Sequence, residues 1–474
     1  MLDIQKRLTK SFYMILSLPA TGMGFALSVQ ISALSWILAT KYQLDIHEIG
    51  LVWAAGPIAG ILGQVIVGII SDKVWFWNGR RRGFILIGGV LSSLMLLALP
   101  NIDVISTAMG IDGILGVALA VALTLDLAIN ISFNPTRSVI ADVTPEGNPR
   151  TKGYTWMQTI SGSFGVLAYA VGAIWGNYML IYSGAVLVLA FSIIPTFFIT
   201  EPRQLAGEEE SATSLPFSFR ELMRSTKPLW GFFFYSVYAM GLRVTGVHFD
   251  HYYVEMVLFI LTMVFVLQAL FTSESGKSRE EAGDIGFKKI LAAHAFTWLG
   301  IQTMFVYMFS YVQNVMPTLS DMSMGRVVSI SFLILNAVGA LLPAFVLEPL
   351  TERIGRVKTH MICIATMALG YLGMLLAGST PVMIYILMGV LGIGWAATVS
   401  LPFAIMSQKV NSAKMGLYMG LFNLSVVLPQ LVASLGIGEL VSVAPNKNVI
   451  FIICTASLAA SAFAWLLVKE NEPA

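Results

Sequence analysis

Hydrophobic residues in this chain come in long, nearly uninterrupted runs separated by short polar stretches. About 20 apolar residues, each rising 1.5 Å along a helix, cross a hydrocarbon layer roughly 30 Å thick. On that rule spanning helices are predicted at 12–38, 48–70, 83–100, 113–137, 154–174, 180–200, 229–247, 252–271, 290–313, 326–347, 360–378, 382–405, 416–436 and 449–468. Among these fourteen, 229–247 is the weakest pattern, because it carries Arg243 and several glycines. The pattern predicts six spans (1–200), a segment holding two linkers and an extra helical hairpin (201–289), and six more spans (290–474).

Composition places this pattern in an all-α integral membrane protein. The 474 residues are 57% hydrophobic and 11% charged, with mean hydropathy +0.79, against about 25% charged in soluble domains. A net charge of +2 argues against nucleic acid as a partner, and the bilayer is the expected surroundings. Cys363 and Cys454 fall inside apolar runs and read as small buried hydrophobes, not as a disulfide framework or metal ligands. The basic head (Lys6, Arg7, Lys10) precedes a first helix too long for a signal peptide's apolar core.

Charge sets the expected orientation. With both termini cytoplasmic, only Lys41, Arg243, Arg326 and Lys447 of the 28 Lys and Arg face outward, a strong positive-inside bias. A bacterial-type inner membrane is the expected location. The halves also echo one another. In GIISDKVWFWNGRRR (68–82) Asp72 precedes Gly79-Arg80, and in AFVLEPLTERIGR (344–356) Glu348 precedes Gly355-Arg356 at the same interval. Repeated six-helix halves point to a transporter with a site between two bundles.

One carboxylate stands out. Asp126 lies near the middle of the run 113–137, where an ionised side chain costs roughly 2.5–3.5 kcal/mol on insertion scales and usually serves a pathway or a proton step. Asn130, Asn134 and Arg137 follow at i+4, i+8 and i+11, all within about 80° of one another around the helix. Asp126 is therefore the proton-coupling candidate, with permanent bonding to polar neighbours as the alternative. Arg137 suits sugar hydroxyls or a carboxylate; snorkelling to the interface or pairing with Asp142 stand beside that.

The strings themselves resemble a family. WAAGPIAGILGQVIVGIISDKVWFWNGRRRGFI (53–85), DLAINISFNPTRSVIADV (126–143), LPFAIMSQKV (401–410) and MGLYMGLFNLSVVLPQLVASLGIGEL (415–440) resemble the second, fourth, tenth and eleventh helices of the sucrose/maltose proton-symporter branch (glycoside-pentoside-hexuronide-like) of the major facilitator superfamily. GMGFALSVQ (22–30) is similar to its first. The resemblance implies two six-helix bundles that alternate in access, with Asp126 in proton coupling and Arg137 linked to substrate. It also implies an inner-loop gate of Gly68, Asp72, Arg80, Arg81, Arg82 and Asp142, with Glu348, Arg353 and Arg356 as the second-half counterpart. The family usually has twelve spans, so the hairpin is a departure.

Sugar recognition needs amides for hydroxyls and an aromatic plane for the ring's C–H face. Candidates are Gln30, Gln64, Asn130, Gln158, Gln302, Asn336, Asn423 and Gln430, with Trp156, Trp298 and Trp395 as platforms. Each amide alone is as well suited to joining two helices. Rich in amides and poor in cations, the set favours a neutral sugar over phosphates or carboxylates. Gly162, Gly165 and Gly172 read as helix packing, the cluster His248, Asp250, His251 lacks closed-site metal geometry, and GEEESATS (207–214) reads as solvated linker. No G-x-x-x-x-G-K-[ST] loop is present. The expected function is a proton-coupled symporter importing a disaccharide such as maltose or sucrose, working as a monomer with no cofactor beyond the proton. The alternatives are a sodium-coupled carrier, an exporter, or a non-transporting sensor; an enzyme is not expected.

Overall fold

The computed structural model describes the chain except residues 1–2, 61–73, 112, 146–147, 204–218, 248, 250, 411–414 and 471–474. Among the described residues it is helical throughout, and twelve helices are long and apolar enough to cross a membrane. The predicted span 48–70 runs into 61–73, outside the described residues. The predicted span 229–247 appears as Trp230–Thr245, only 16 residues, preceded by a 3-10 turn Lys227–Leu229. Helix and turn together rise about 30 Å, enough to reach across a hydrocarbon layer.

Helix starts follow local chemistry. Thr9 accepts the Phe12 amide at the head of Lys10–Thr40. Asp45 with Glu48, and Ser278 with Glu281, form reciprocal capping boxes at Ile46–Trp53 and Arg279–Val315, satisfying amides that have no partner inside their own helix. Within the spans, Ser17, Thr21 and Ser28 turn back onto carbonyls four residues earlier. Their hydroxyls are thus satisfied where no water is at hand.

The chain divides into two compact units: Met1–Leu215 with Leu319–Leu333, and Pro216–Thr318 with Ile334–Ala474. In the first, Lys10–Thr40 packs on Asn148–Trp175 and Asn177–Phe198, while Arg82–Ala98 packs on Ile114–Val143 and Asn177–Phe198. In the second, Arg279–Val315 packs on Met415–Val432 and Val449–Leu466, while Arg356–Ala377 packs on Pro381–Ser407 and Val449–Leu466. Counting spans within each half, both use the same scheme: first with fifth and sixth, third with fourth and sixth. That shared pairing is the structural form of the repeat seen in the two loop sequences. Small residues permit the closest approaches. A Cβ at Gly88 or Gly89 would collide with Ser132 or Ser192 of the neighbouring helices. The hairpin Trp230–Thr245 and Tyr253–Phe271 belongs to the second unit.

Candidate functional site

In the first unit the structure buries the acid. Asp126 is 4% exposed on Ile114–Val143. Gln30, from Lys10–Thr40, donates its Nε2 hydrogen to Asp126 Oδ2 at 2.9 Å. From a third segment Gly56 approaches, and a Cβ there would stand 3.4 Å from both carboxylate oxygens. That is ordinary van der Waals contact, so the Gly56 backbone packs beside the carboxyl. The Gln30 contact suits either charge state, since the amide hydrogen is accepted by an ionised or a neutral carboxyl.

The rest of the polar seam separates. Asn130 donates an Nδ2 hydrogen to the Asp126 backbone carbonyl at 2.8 Å. The helix runs on through Pro135 to Val143, so Arg137 lies about 16 Å further along the axis. It is exposed, its guanidinium 5.0 Å from the Phe133 ring. Gln158 is also exposed, on Asn148–Trp175. Gln64, Gly68 and Asp72 lie outside the described residues, as do the side chain of Asn134, His248 and Asp250 of the outer-turn cluster, and GEEESATS.

In the second unit neutral groups gather. Trp298, Gln302 and Phe305 fall on one stripe of Arg279–Val315, spaced by four and three. Gln430 Nε2 donates to Gln302 Oε1 at 3.1 Å, and Trp395 Nε1 donates to Asn336 Oδ1 at 3.2 Å. The Trp395 ring stands edge-on to Trp298 (6.1 Å) and Phe305 (5.5 Å). Trp298 in turn donates to His294 Nε2 at 2.9 Å. Asn423 and Trp395 are half-buried, Gln302 fully. Indole faces beside amides that both donate and accept form a surface suited to a ring with hydroxyls on its edge and C–H groups on its face.

Charge is organised at the starts of two equivalent helices. Glu201 Oε2 accepts the Arg80 and Arg81 amides, each at 2.7 Å, and Oε1 accepts the Arg82 amide at 2.8 Å. This carboxylate caps Arg82–Ala98, where free amides and the helix dipole favour negative charge. In the second unit Glu470 Oε1 accepts the Arg356 amide and Oε2 the Val357 amide, capping Arg356–Ala377 the same way. The glycine of each Gly-Arg pair now has a reason. A Cβ at Gly79 would press on Glu201 Oε1, and one at Gly355 would overlap Glu470 Oε2. The side chain of Arg81 pairs with Asp142, Nε to Oδ2 at 2.9 Å, with both side chains nearly buried; Asp142 thus meets Arg81 and not Arg137. Glu348, Arg353 and Arg356 are exposed, and among the described residues they form no ion pair. Sequence reasoning missed Glu201 and Glu470. The available signal was position, since each acid follows closely on the last span of its half.

Comparison with known proteins agrees with this architecture. The profile described as Major Facilitator Superfamily matches residues 16–251, 251–434 and 290–474. A sucrose transport protein of Arabidopsis thaliana is 26% identical over 464 residues, covering 88% of this chain and 82% of its own. The general alpha-glucoside permease of Schizosaccharomyces pombe is 26% identical over 252 residues, 44% of this chain and 45% of its own. Among solved structures, the nucleoside transporter NupG superposes with a TM-score of 0.62 at 13% identity, over 97% of this chain and 100% of that one. The xylose transporter XylE from E. coli gives 0.60 at 16%, over 98% and 97%. At such identities the solved structures speak to the fold.

Proposed function

This chain belongs to the Major Facilitator Superfamily, and we propose that it imports a neutral sugar, a disaccharide such as maltose or sucrose, together with a proton. The observation that carries the reading is Asp126: a carboxyl held out of water in a membrane helix, bonded to Gln30 and packed beside Gly56. A buried charge without a partner ion is expensive, whereas the protonated acid is not. Loading a proton thus changes the cost of enclosing this group, which ties its titration to a change of conformation. Gln30 holds the carboxyl in one orientation through the cycle.

Recognition falls to the neutral groups of the second unit. Gln302, Gln430 and Asn336 supply hydrogen bonds, and Trp395 and Trp298 supply planes for the sugar ring. Names of relatives support the substrate class, since one carries sucrose and another α-glucosides by their descriptions. The chain works as a single copy in the cell's inner membrane with both termini cytoplasmic, the orientation that the distribution of Lys and Arg favours.

Purified protein in proteoliposomes tests the reading directly. Labelled maltose, sucrose and glucose are supplied with an inward proton gradient, an inward sodium gradient, or neither. Expected is accumulation of a disaccharide driven by protons alone. Accumulation driven by sodium, net export, or binding without transport each overturns it.

A further inference from the structure

The hairpin absent from the twelve-span plan builds a cavity of its own. Where it packs within the second unit, a pocket of about 410 Å³ opens, walled by Phe232, Phe259, Met263, Phe296 and Leu440. That volume lies in the range of small-molecule sites, roughly 300–1,000 Å³. One wall is shaped by a π-turn at Ala433–Ile437, whose carbonyl at Ala433 accepts the Tyr307 hydroxyl at 3.1 Å. Gly436 of that turn faces Tyr235 so tightly that a Cβ would run into the phenol. Widened turns of this kind recur at functional sites.

The pocket is greasy except at one end. There Tyr235, Glu255 and Glu439 join the lining. Glu255 Oε1 accepts the Tyr238 hydroxyl at 3.0 Å, while Oε2 is closed off from solvent and has no hydrogen-bond partner among the described residues. Turning the carboxylate toward the pocket it lines would give that oxygen a donor, relieving a cost of about 1–3 kcal/mol, more when charged. Arg243 is not in the lining but lies within electrostatic reach of the same Tyr235, so two carboxylates line this end and a guanidinium is nearby. Arg243 and Glu255 flank the hairpin turn and Glu439 lies a turn before the end of the span Tyr418–Val443, with Tyr252 beside the turn, a headgroup-level setting in a membrane helix pair; Tyr235 lies deeper along Trp230–Thr245. Outside the pocket the hairpin presents Tyr253, Val257 and Ile260, each more than half exposed, as expected of a surface bathed in lipid tails.

We propose that this cavity binds a bilayer lipid with a primary ammonium and a phosphate in its head, an aminophospholipid. The tail fills the aromatic and aliphatic pocket, the ammonium donates to Glu255 and Glu439, and the phosphate lies toward Arg243. A trimethylated head has no N–H for the two carboxylates, and a purely anionic head is repelled by them. Selection therefore rests on the ammonium hydrogens.

Native mass spectrometry of the full chain, reconstituted with equal amounts of phosphatidylethanolamine, its N,N,N-trimethyl counterpart phosphatidylcholine, and phosphatidylglycerol, tests this on the unaltered protein. The expected result is one phosphatidylethanolamine retained about tenfold in preference to either of the others. Equal retention of all three, or preference for phosphatidylglycerol, overturns the proposal. Two variants locate the site. Glu255→Gln with Glu439→Gln is expected to erase the preference for ethanolamine over choline, and Met263→Trp, which fills the cavity, to lower retention of every lipid. A preference that survives both changes places the lipid elsewhere and overturns the assignment, as does a second copy of the chain found in place of lipid.

Discussion

The two units cap the same helix with the same device but use their charges differently. In each, a glutamate beyond the last span of its half reaches the backbone amides at the head of the third span, and a glycine makes room for it. The first unit adds a nearly buried ion pair, Arg81 with Asp142, whereas Glu348, Arg353 and Arg356 of the second stay exposed and unpaired among the described residues. A similar contrast runs through the buried centres. The first unit holds an acid on an amide, Asp126 on Gln30; the second holds amide on amide, Gln430 on Gln302, and indole on amide. Backbone capping is thus what the repeat has in common, and side-chain charge is where the halves diverge.

The largest expected effect comes from making the first centre as neutral as the second. Asp126→Asn keeps the size of the side chain and an acceptor for Gln30, but removes the group that titrates. Concentrative uptake is expected to vanish, the inside-to-outside sugar ratio falling to one in proteoliposomes with a proton gradient, while exchange of labelled for unlabelled sugar continues. Accumulation at the unaltered level in that variant would end the coupling assignment. Next in size is the ion pair. Removing one partner of a buried pair leaves the other uncompensated and costs about 3–5 kcal/mol, so Arg81→Ala is expected to unfold at markedly lower denaturant. Arg353→Ala, at an exposed site, is expected to move stability by no more than about 0.5 kcal/mol. Equal losses in denaturant titrations would show the contrast between the units to be without energetic meaning. Trp395→Ala ranks third: loss of an aromatic plane is expected to raise the KM for sugar about tenfold, or about 1.4 kcal/mol, with the dependence on the proton gradient intact. A variant with unchanged KM would remove Trp395 from the sugar surface.

The helices were legible because length and hydropathy are local properties; among the described residues, twelve long apolar helices stand where runs of apolar residues foretold them. Asp126 was legible for the same reason, since an acid in a greasy run is conspicuous without any knowledge of its neighbours. Spacing around the helix set Arg137 on the same face as Asp126 and, by the rise along the axis, about 16 Å from it; the structure places Arg137 at an exposed position. Partners distant in sequence were not legible at all. Gln302 finds Gln430 across 128 positions and Glu201 finds Arg80 across 121, and nothing local tells one amide in a span from another. Glu201 and Glu470 were the hardest, because an acid in a polar stretch is read as solvated until a helix end is seen beneath it.

The smallest expected contrast, between the two caps, is also the finest probe of them. Glu201 is 6% exposed and serves three amides, whereas Glu470 is exposed and serves two. Charge-assisted bonds in the drier setting are worth more, since water competes less for the amides. In Glu201→Gln one oxygen still accepts, but the new NH₂ faces an amide hydrogen it cannot accept, and the attraction to the helix dipole is lost. That loss is expected to cost about 2 kcal/mol, against under about 1 kcal/mol for Glu470→Gln. Hydrogen exchange followed by mass spectrometry reads the difference where it arises. Exchange at the amides of Arg80, Arg81 and Arg82 is expected to quicken about 30-fold in the first variant, and at Arg356 and Val357 no more than about fivefold in the second. Equal acceleration at both helix starts would mean that burial adds nothing to this cap, and that the two halves differ only in their side-chain pairs.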